Sequence, residues 1–172
     1  MRKGINHKKI ISVFLAAVVC ASMFSVPVFG AFAEETSSVP DLDDPEQRLA
    51  YELSFVQGEL SRERVVYLTS HKATITLSSG GTVTGEVSAK GLADTVTSLR
   101  FFLYIQRYES GKWKTVDNNT TLVSGYEGEA SIVCSDSTKI ISGYDYRISY
   151  TVYAYRYNTY QSFTGNSSTV HY

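Results

Sequence analysis

The sequence predicts an all-β fold, an antiparallel β-sandwich of the immunoglobulin/fibronectin-like type, set behind an export signal and a short acidic leader. Three observations predict it. From Lys72 onward apolar residues recur with a period of two, in short runs rich in Thr, Val and Tyr. Turn residues separate those runs at intervals of 8–15 residues. Helical spacing is confined to the leader. The 172-residue chain thus divides into a signal (1–33), an acidic leader with a short helix (34–71) and one sandwich domain (72–172).

The signal comes first. Arg2, Lys3, Lys8 and Lys9 precede an uncharged, mostly apolar stretch of 17 residues, Ile10 to Val26, and Ala31-Phe32-Ala33 follows. A positive start, an apolar middle and an A-x-A end make a secretory signal peptide, with cleavage expected after Ala33. Uncleaved, the uncharged segment from Ile10 to Ala33 would be long enough to anchor the chain in a membrane, the one membrane role the sequence offers. Val19 is too bulky to precede a lipidated Cys20. Sec-type export is expected, with release to the medium or loose cell-wall association. Cleavage leaves 139 residues, with 12 basic against 17 acidic side chains and Cys134 as the one remaining cysteine. No internal disulfide can then form, so a packed core must supply stability. That balance gives no electrostatic reason to expect nucleic acid.

From Glu34 to about Leu60 the leader is acidic, with Glu34, Glu35, Asp41, Asp43, Asp44, Glu46, Glu52 and Glu59 against Arg48 alone. Asp44-Pro45-Glu46 starts a helix, with proline in its first turn and acids near its positive end. Leu49, Leu53, Val56 and Leu60 recur at helical spacing, which predicts a short amphipathic helix ended near Gly58 and Val65-Val66. Asp41 to Asp44 lacks the further oxygen ligands and glycine of a calcium loop, so a solvated linker is the better reading.

The strands follow in order. Ala73–Leu77 and Thr82–Val87 alternate around the turn Ser79-Gly80-Gly81. Thr95–Tyr108 is apolar on both faces, which marks a central strand. Glu109–Lys112 turns it into Trp113–Val116, a hairpin expected to end at Asp117-Asn118-Asn119. Gly128–Cys134 alternates with Cys134 on the apolar face, a buried thiol. Tyr146–Tyr157 predicts a buried even face (Tyr146, Ile148, Tyr150, Val152, Ala154) and a wet odd face, and Asn158-Thr159 returns the chain into Tyr160–Val170. Gly143-Tyr144-Asp145-Tyr146 predicts a tyrosine corner, with the Tyr146 hydroxyl bonded to nearby backbone; an ordinary core tyrosine is the alternative.

Ile105-Gln106-Arg107-Tyr108, Gly111-Lys112-Trp113 with Val116, and Gly143-Tyr144-Asp145-Tyr146-Arg147 resemble a family of small secreted proteins of Gram-positive bacteria. That family is clostridial in type and classed as a domain of unknown function. The resemblance spans about Gly80 to Tyr157. It implies a signal peptide and a compact all-β domain, and it carries over no active site. The motif suits a structural use, with Arg107 stacking on Trp113 and Tyr108 across the hairpin.

The chemistry is sparse. Beyond the signal the histidines are His71, expected just before the first sandwich strand, and His171. Neither sits in a nucleophile elbow, a metal-ligand pair or a phosphate loop. Glu127 and Glu129 share a strand face, but a glycosidase pair needs a cleft. No catalytic residue, cofactor or metal is expected. The feature that stands out is aromatic: Tyr153, Tyr155 and Tyr157 on the wetter face of one strand, with Tyr160 across the turn. Such rings either cover a sheet or stack on sugar or protein. The expected function is a non-catalytic extracellular module binding a cell-surface glycan or protein through that face. A self-assembling surface protein is the alternative and a small hydrolase trails, with the oligomeric state open.

Overall fold

A computed structural model describes residues 39–124 and 131–172, with backbone alone for 131–137. The export signal, Glu127 with Glu129, and the Cys134 side chain lie outside the described residues.

The described chain is an all-β sandwich with one helix. Helix α1 (Pro45–Phe55) precedes strands β1 (Glu59–Leu60), β2 (Leu68–Leu77), β3 (Thr82–Gly91), β4 (Ser98–Glu109) and β5 (Lys112–Ser124). Strands β6 (Ser131–Lys139), β7 (Asp145–Arg156), β8 (Thr159–Asn166) and β9 (Val170–His171) complete it. The larger sheet runs β1-β8-β7-β4-β5, with β9 beside the start of β7; the smaller runs β2-β3-β6. All pairings are antiparallel except β1 with β8.

The interior follows from alternation. Leu99, Phe101, Leu103 and Ile105 on β4 and Tyr146, Ile148, Tyr150, Val152 and Ala154 on β7 face Ile75, Val83, Val87 and Ala89 of the smaller sheet. Side chains on a strand point alternately to its two faces, so one parity of each central strand fills this layer. The sheets approach closely at Gly85, where an added Cβ would land on Ile148 Cδ1. The Tyr146 hydroxyl lies inside this core, accepting the Ile141 amide at 2.9 Å and donating to the Ile141 carbonyl at 3.0 Å. That closes the corner into β7 and satisfies two backbone groups at once.

Four features differ from the sequence expectation. First, β2 begins at Leu68, so His71 lies within it, its Nδ1 2.9 Å from the Tyr150 hydroxyl. The leader also reaches into the fold through β1 and through fully buried Tyr67, whose hydroxyl meets Ser61 and Thr159. Second, β5 continues through Asp117-Asn118-Asn119 to Ser124. A bulge between Thr115 and Asp117 restores its register with β4, so polar residues pair as well as apolar ones. Third, α1 is turned over. Leu49 and Leu53 are 52% and 42% exposed, while Arg48, Tyr51 and Glu52 face the larger sheet. Fourth, Arg107 does not stack on Trp113. It belongs to the inward parity and lies over Tyr144 at 4.9 Å, while outward Arg147 covers Trp113 at 4.3 Å and Tyr108 meets the same ring.

Candidate functional site

The outer face of the larger sheet holds most of the residues the sequence singles out. Register across β5, β4, β7 and β8 sets its rows: Leu122–Arg100–Tyr153–Ser162, and beside it Ser124–Ser98–Tyr155–Tyr160. Phe102 and Tyr104 continue the face along β4, and Thr151 and Ser149 along β7.

Helix α1 covers the middle of this face. It starts at Asp44, whose carboxylate accepts the Glu46 amide at 2.9 Å, with Pro45 in the first turn. That amide, more than any other contact, holds the Asp44 carboxyl below the usual carboxylate range. Glu52, one turn from the C-terminus, is 3% exposed. Its Oε1 accepts the Tyr104 hydroxyl at 2.8 Å and the Thr151 hydroxyl at 3.0 Å, and its Oε2 the Tyr153 hydroxyl at 3.0 Å. Arg48 adds its Nε at 3.3 Å, donates to Ser149 at 3.1 Å and lies over the Tyr104 ring at 4.1 Å. A buried carboxylate needs such partners, and here four donors from three elements, β4, β7 and α1 itself, supply them. Burial, followed by the Glu52 charge, pushes the Tyr104 and Tyr153 phenols well above their ordinary range, so both stay protonated donors. Tyr51 and Phe55 pack edge-on against Phe102.

This overturns the expected wet face. Tyr153 and Tyr155 are 2% and 7% exposed, and Ser149 and Thr151 are buried with them. Tyr153 holds the helix down. Tyr160, half-buried, packs on Tyr153 and Tyr155. Only Tyr157 stands in solvent, at 81% exposure, and it has left the strand for the β7–β8 turn. A tyrosine with a hydroxyl to donate and a flat ring to pack serves a buried sheet as well as a wet one, and parity alone does not choose.

Beyond the end of α1 the cover stops, and a cavity of about 250 Å3 opens. Phe55, Gln57, Gly58, Arg100, Tyr155, Tyr157 and Asn158 line it, with Ser98 and Leu122 at the side. Two buried polar atoms here, Arg100 Nε and Tyr155 Oη, lack an acceptor, while Arg100 and the Gln57 amide face the phenol oxygen. Burial raises the Tyr155 phenol, and the charge of nearby Arg100 draws it partly back. Tyr157 has φ +54°, a left-handed conformation costly for a bulky side chain. The turn is held from the leader side. The Glu59 amide donates to the Asn158 carbonyl at 2.8 Å, and an added Cβ on Gly58 (φ +98°) would run into that carbonyl. The site therefore combines one exposed ring on a turn held from the leader side, one buried phenol and one buried guanidinium edge.

The histidines stay apart from it. His71 meets Tyr150, and His171 Nδ1 meets Asp145 Oδ1 at 2.7 Å. Among the described residues no group of three His, Cys, Asp or Glu side chains is placed to hold a metal. The sequence reading missed Arg100, Glu52, Phe55 and Gln57. An arginine inside an otherwise apolar central run, at Leu99-Arg100-Phe101-Phe102, was the available signal.

No protein-family model matches the chain, and no curated protein does. Solved structures that the chain matches include the solution structure of R. palustris CsgH (12% identity, 57% of this chain and 89% of that chain, TM-score 0.33). The ASH/PapD-like domain of human CEP192 is another (12%, 68% and 96%, TM-score 0.36). A protein from Archaeoglobus fulgidus is a third (11%, 61% and 97%, TM-score 0.33). At such scores and identities this chain's own geometry has to carry the functional reading.

Proposed function

We propose that the chain is exported and acts as a non-catalytic extracellular binding module of the small Gram-positive kind its hairpin motif resembles. Its ligand, a cell-surface glycan, docks at the Tyr155–Tyr157 cavity rather than on the whole tyrosine face. One observation carries this reading: Tyr157 projects into solvent at the mouth of a formed cavity, in a backbone conformation that its surroundings must enforce. The two-residue hairpin turn requires a positive φ there, as at Ser110, and a tyrosine in that place carries its ring out to the cavity mouth. An exposed ring beside side-chain amides suits stacking on a sugar with hydroxyls to satisfy.

The test is Tyr157→Ala on cell-wall and glycan arrays. Retention should be lost while the melting temperature moves by no more than about 2 °C, since so exposed a ring buries little area. Unaltered retention refutes the reading.

A second reading, pairing with another copy, is favoured by the outward Leu49 and Leu53 and by the 13-residue edge strand β5. Light scattering at high concentration decides it: a strict monomer removes it.

A further inference from the structure

The cavity beyond α1 carries a chemical preference of its own. Arg100 is the only charged side chain among its described lining residues. The other arginines packed along this sheet each have an acceptor: Arg48 has Glu52, Arg147 has the Gln106 side-chain amide oxygen, Arg156 has Glu63, and Arg107 reaches Glu109 through Nη2 although its own Nε is also buried without a partner. Arg100 has a buried Nε with no partner, with the Phe55 ring 5.8 Å from its guanidinium carbon. The buried Tyr155 hydroxyl beside it has the Arg100 guanidinium and the Gln57 amide facing its oxygen, and its own proton has no acceptor. Two buried donors without an acceptor are costly, and one acceptor placed between them would satisfy both.

We infer that the cavity binds the carboxylate of an acidic sugar, a uronic-acid unit of a polysaccharide, with Arg100 and Tyr155 donating to its oxygens. The inference rests on the reading of this cavity as the binding site. A guanidinium fits a carboxylate edge-on with paired N–H donors, and a neutral phenol adds a third. Tyr157 lies where a ring can cover one face of the pyranose, and Gln57 and Asn158 offer amides to its hydroxyls. About 250 Å3 suits one sugar ring with its substituent rather than a folded partner. The chain's formal charge of −1 gives no general pull on polyanions, so any preference for acid has to be local.

The experiment uses the purified full chain with polygalacturonate, alginate and hyaluronan, the carboxyl-reduced form of each, and dextran sulfate. At least one uronate polymer should bind ten-fold or more tightly than its reduced form and than dextran sulfate. Arg100→Gln should remove that preference, Arg100→Lys should restore part of it, and Tyr155→Phe should weaken it several-fold. Equal binding of a uronate polymer and its reduced form overturns the acidic-sugar inference but leaves the cavity as a site if Tyr157→Ala still abolishes retention. Dextran sulfate bound as tightly as any uronate also overturns it. Binding of none of the polymers overturns it too, and the array result for Tyr157→Ala then separately decides the wider reading. If Arg100→Gln fails to fold, the comparison of native and reduced polymers on the unaltered protein still decides.

Discussion

Glu52→Ala is the perturbation that tests how the outer face is held. The carboxylate is 3% exposed and takes hydroxyl bonds of 2.8, 3.0 and 3.0 Å from Tyr104, Thr151 and Tyr153, with Arg48 at 3.3 Å. Its removal leaves three buried hydroxyls without their acceptor and a guanidinium without its counter-charge. Each orphaned hydroxyl costs about 1 kcal/mol or more, and breaking a buried charged pair from one side costs about 3–5 kcal/mol. Because these are the same contacts counted two ways, the expected loss is about 3–5 kcal/mol, a large part of the 5–15 kcal/mol typical of a domain. Glu52→Gln keeps volume and one acceptor oxygen but turns an amide N–H2 toward donors, so about 1–3 kcal/mol is expected. Urea unfolding followed by Trp113 fluorescence gives the global value. Hydrogen exchange over 45–55 shows whether the helix loosens before the sheet. Glu52→Ala within about 0.5 kcal/mol of the parent, with exchange over 45–55 unchanged, would mean that the helix is held by its aromatic contacts alone, and the reasoning about Glu52 fails.

Two further outcomes concern the corner into β7 and the phenols that bind Glu52. Tyr146→Phe removes both bonds to the Ile141 backbone while keeping the ring in the core, and should lower stability by about 1–3 kcal/mol in urea; no change would mean that water replaces the hydroxyl there. Alkali should destabilise the fold. Tyr104 and Tyr153 hold their protons in the native state to higher pH than in the unfolded chain, so their stabilisation is complete below about pH 10 and is lost as pH rises through the folded values. Each can contribute up to about 1.4 kcal/mol per pH unit to that fall, and the Tyr104→Phe/Tyr153→Phe double variant should show a shallower slope between pH 10 and 11. A slope unchanged in the double variant would mean that other groups set the alkaline limit.

Much of the fold was legible in local pattern. Ala73–Leu77 and Thr82–Val87 were readable as a hairpin because alternation and the intervening glycines need no distant partner. Asp44-Pro45 likewise marks the helix start, since an Asx cap and a proline act within one turn. The error at α1 has a definite cause. Its leucines form a stripe at helical spacing, but the opposite stripe carries Arg48 and Glu52, whose hydrogen bonds to the sheet outweigh the burial of two leucines. No spacing rule ranks a stripe by partners about a hundred residues downstream. The same holds for the hairpin motif: Arg107 and Trp113 look adjacent in sequence, but strand parity sends them to opposite faces and brings Arg147 in from β7.

By itself, the amino-acid order determined the strand periods, the turns at Ser79–Gly81 and Glu109–Lys112 and the helix cap, because each depends on residues within a few positions of one another. Which tyrosines are dry, which one is presented and where a guanidinium is left without an acceptor were decided only when α1 settled on the larger sheet. A phenol is stable in water and stable in a core once its hydroxyl is bonded, so its place is chosen by the carboxylate that reaches it, and Glu52 reaches Tyr153 but not Tyr155.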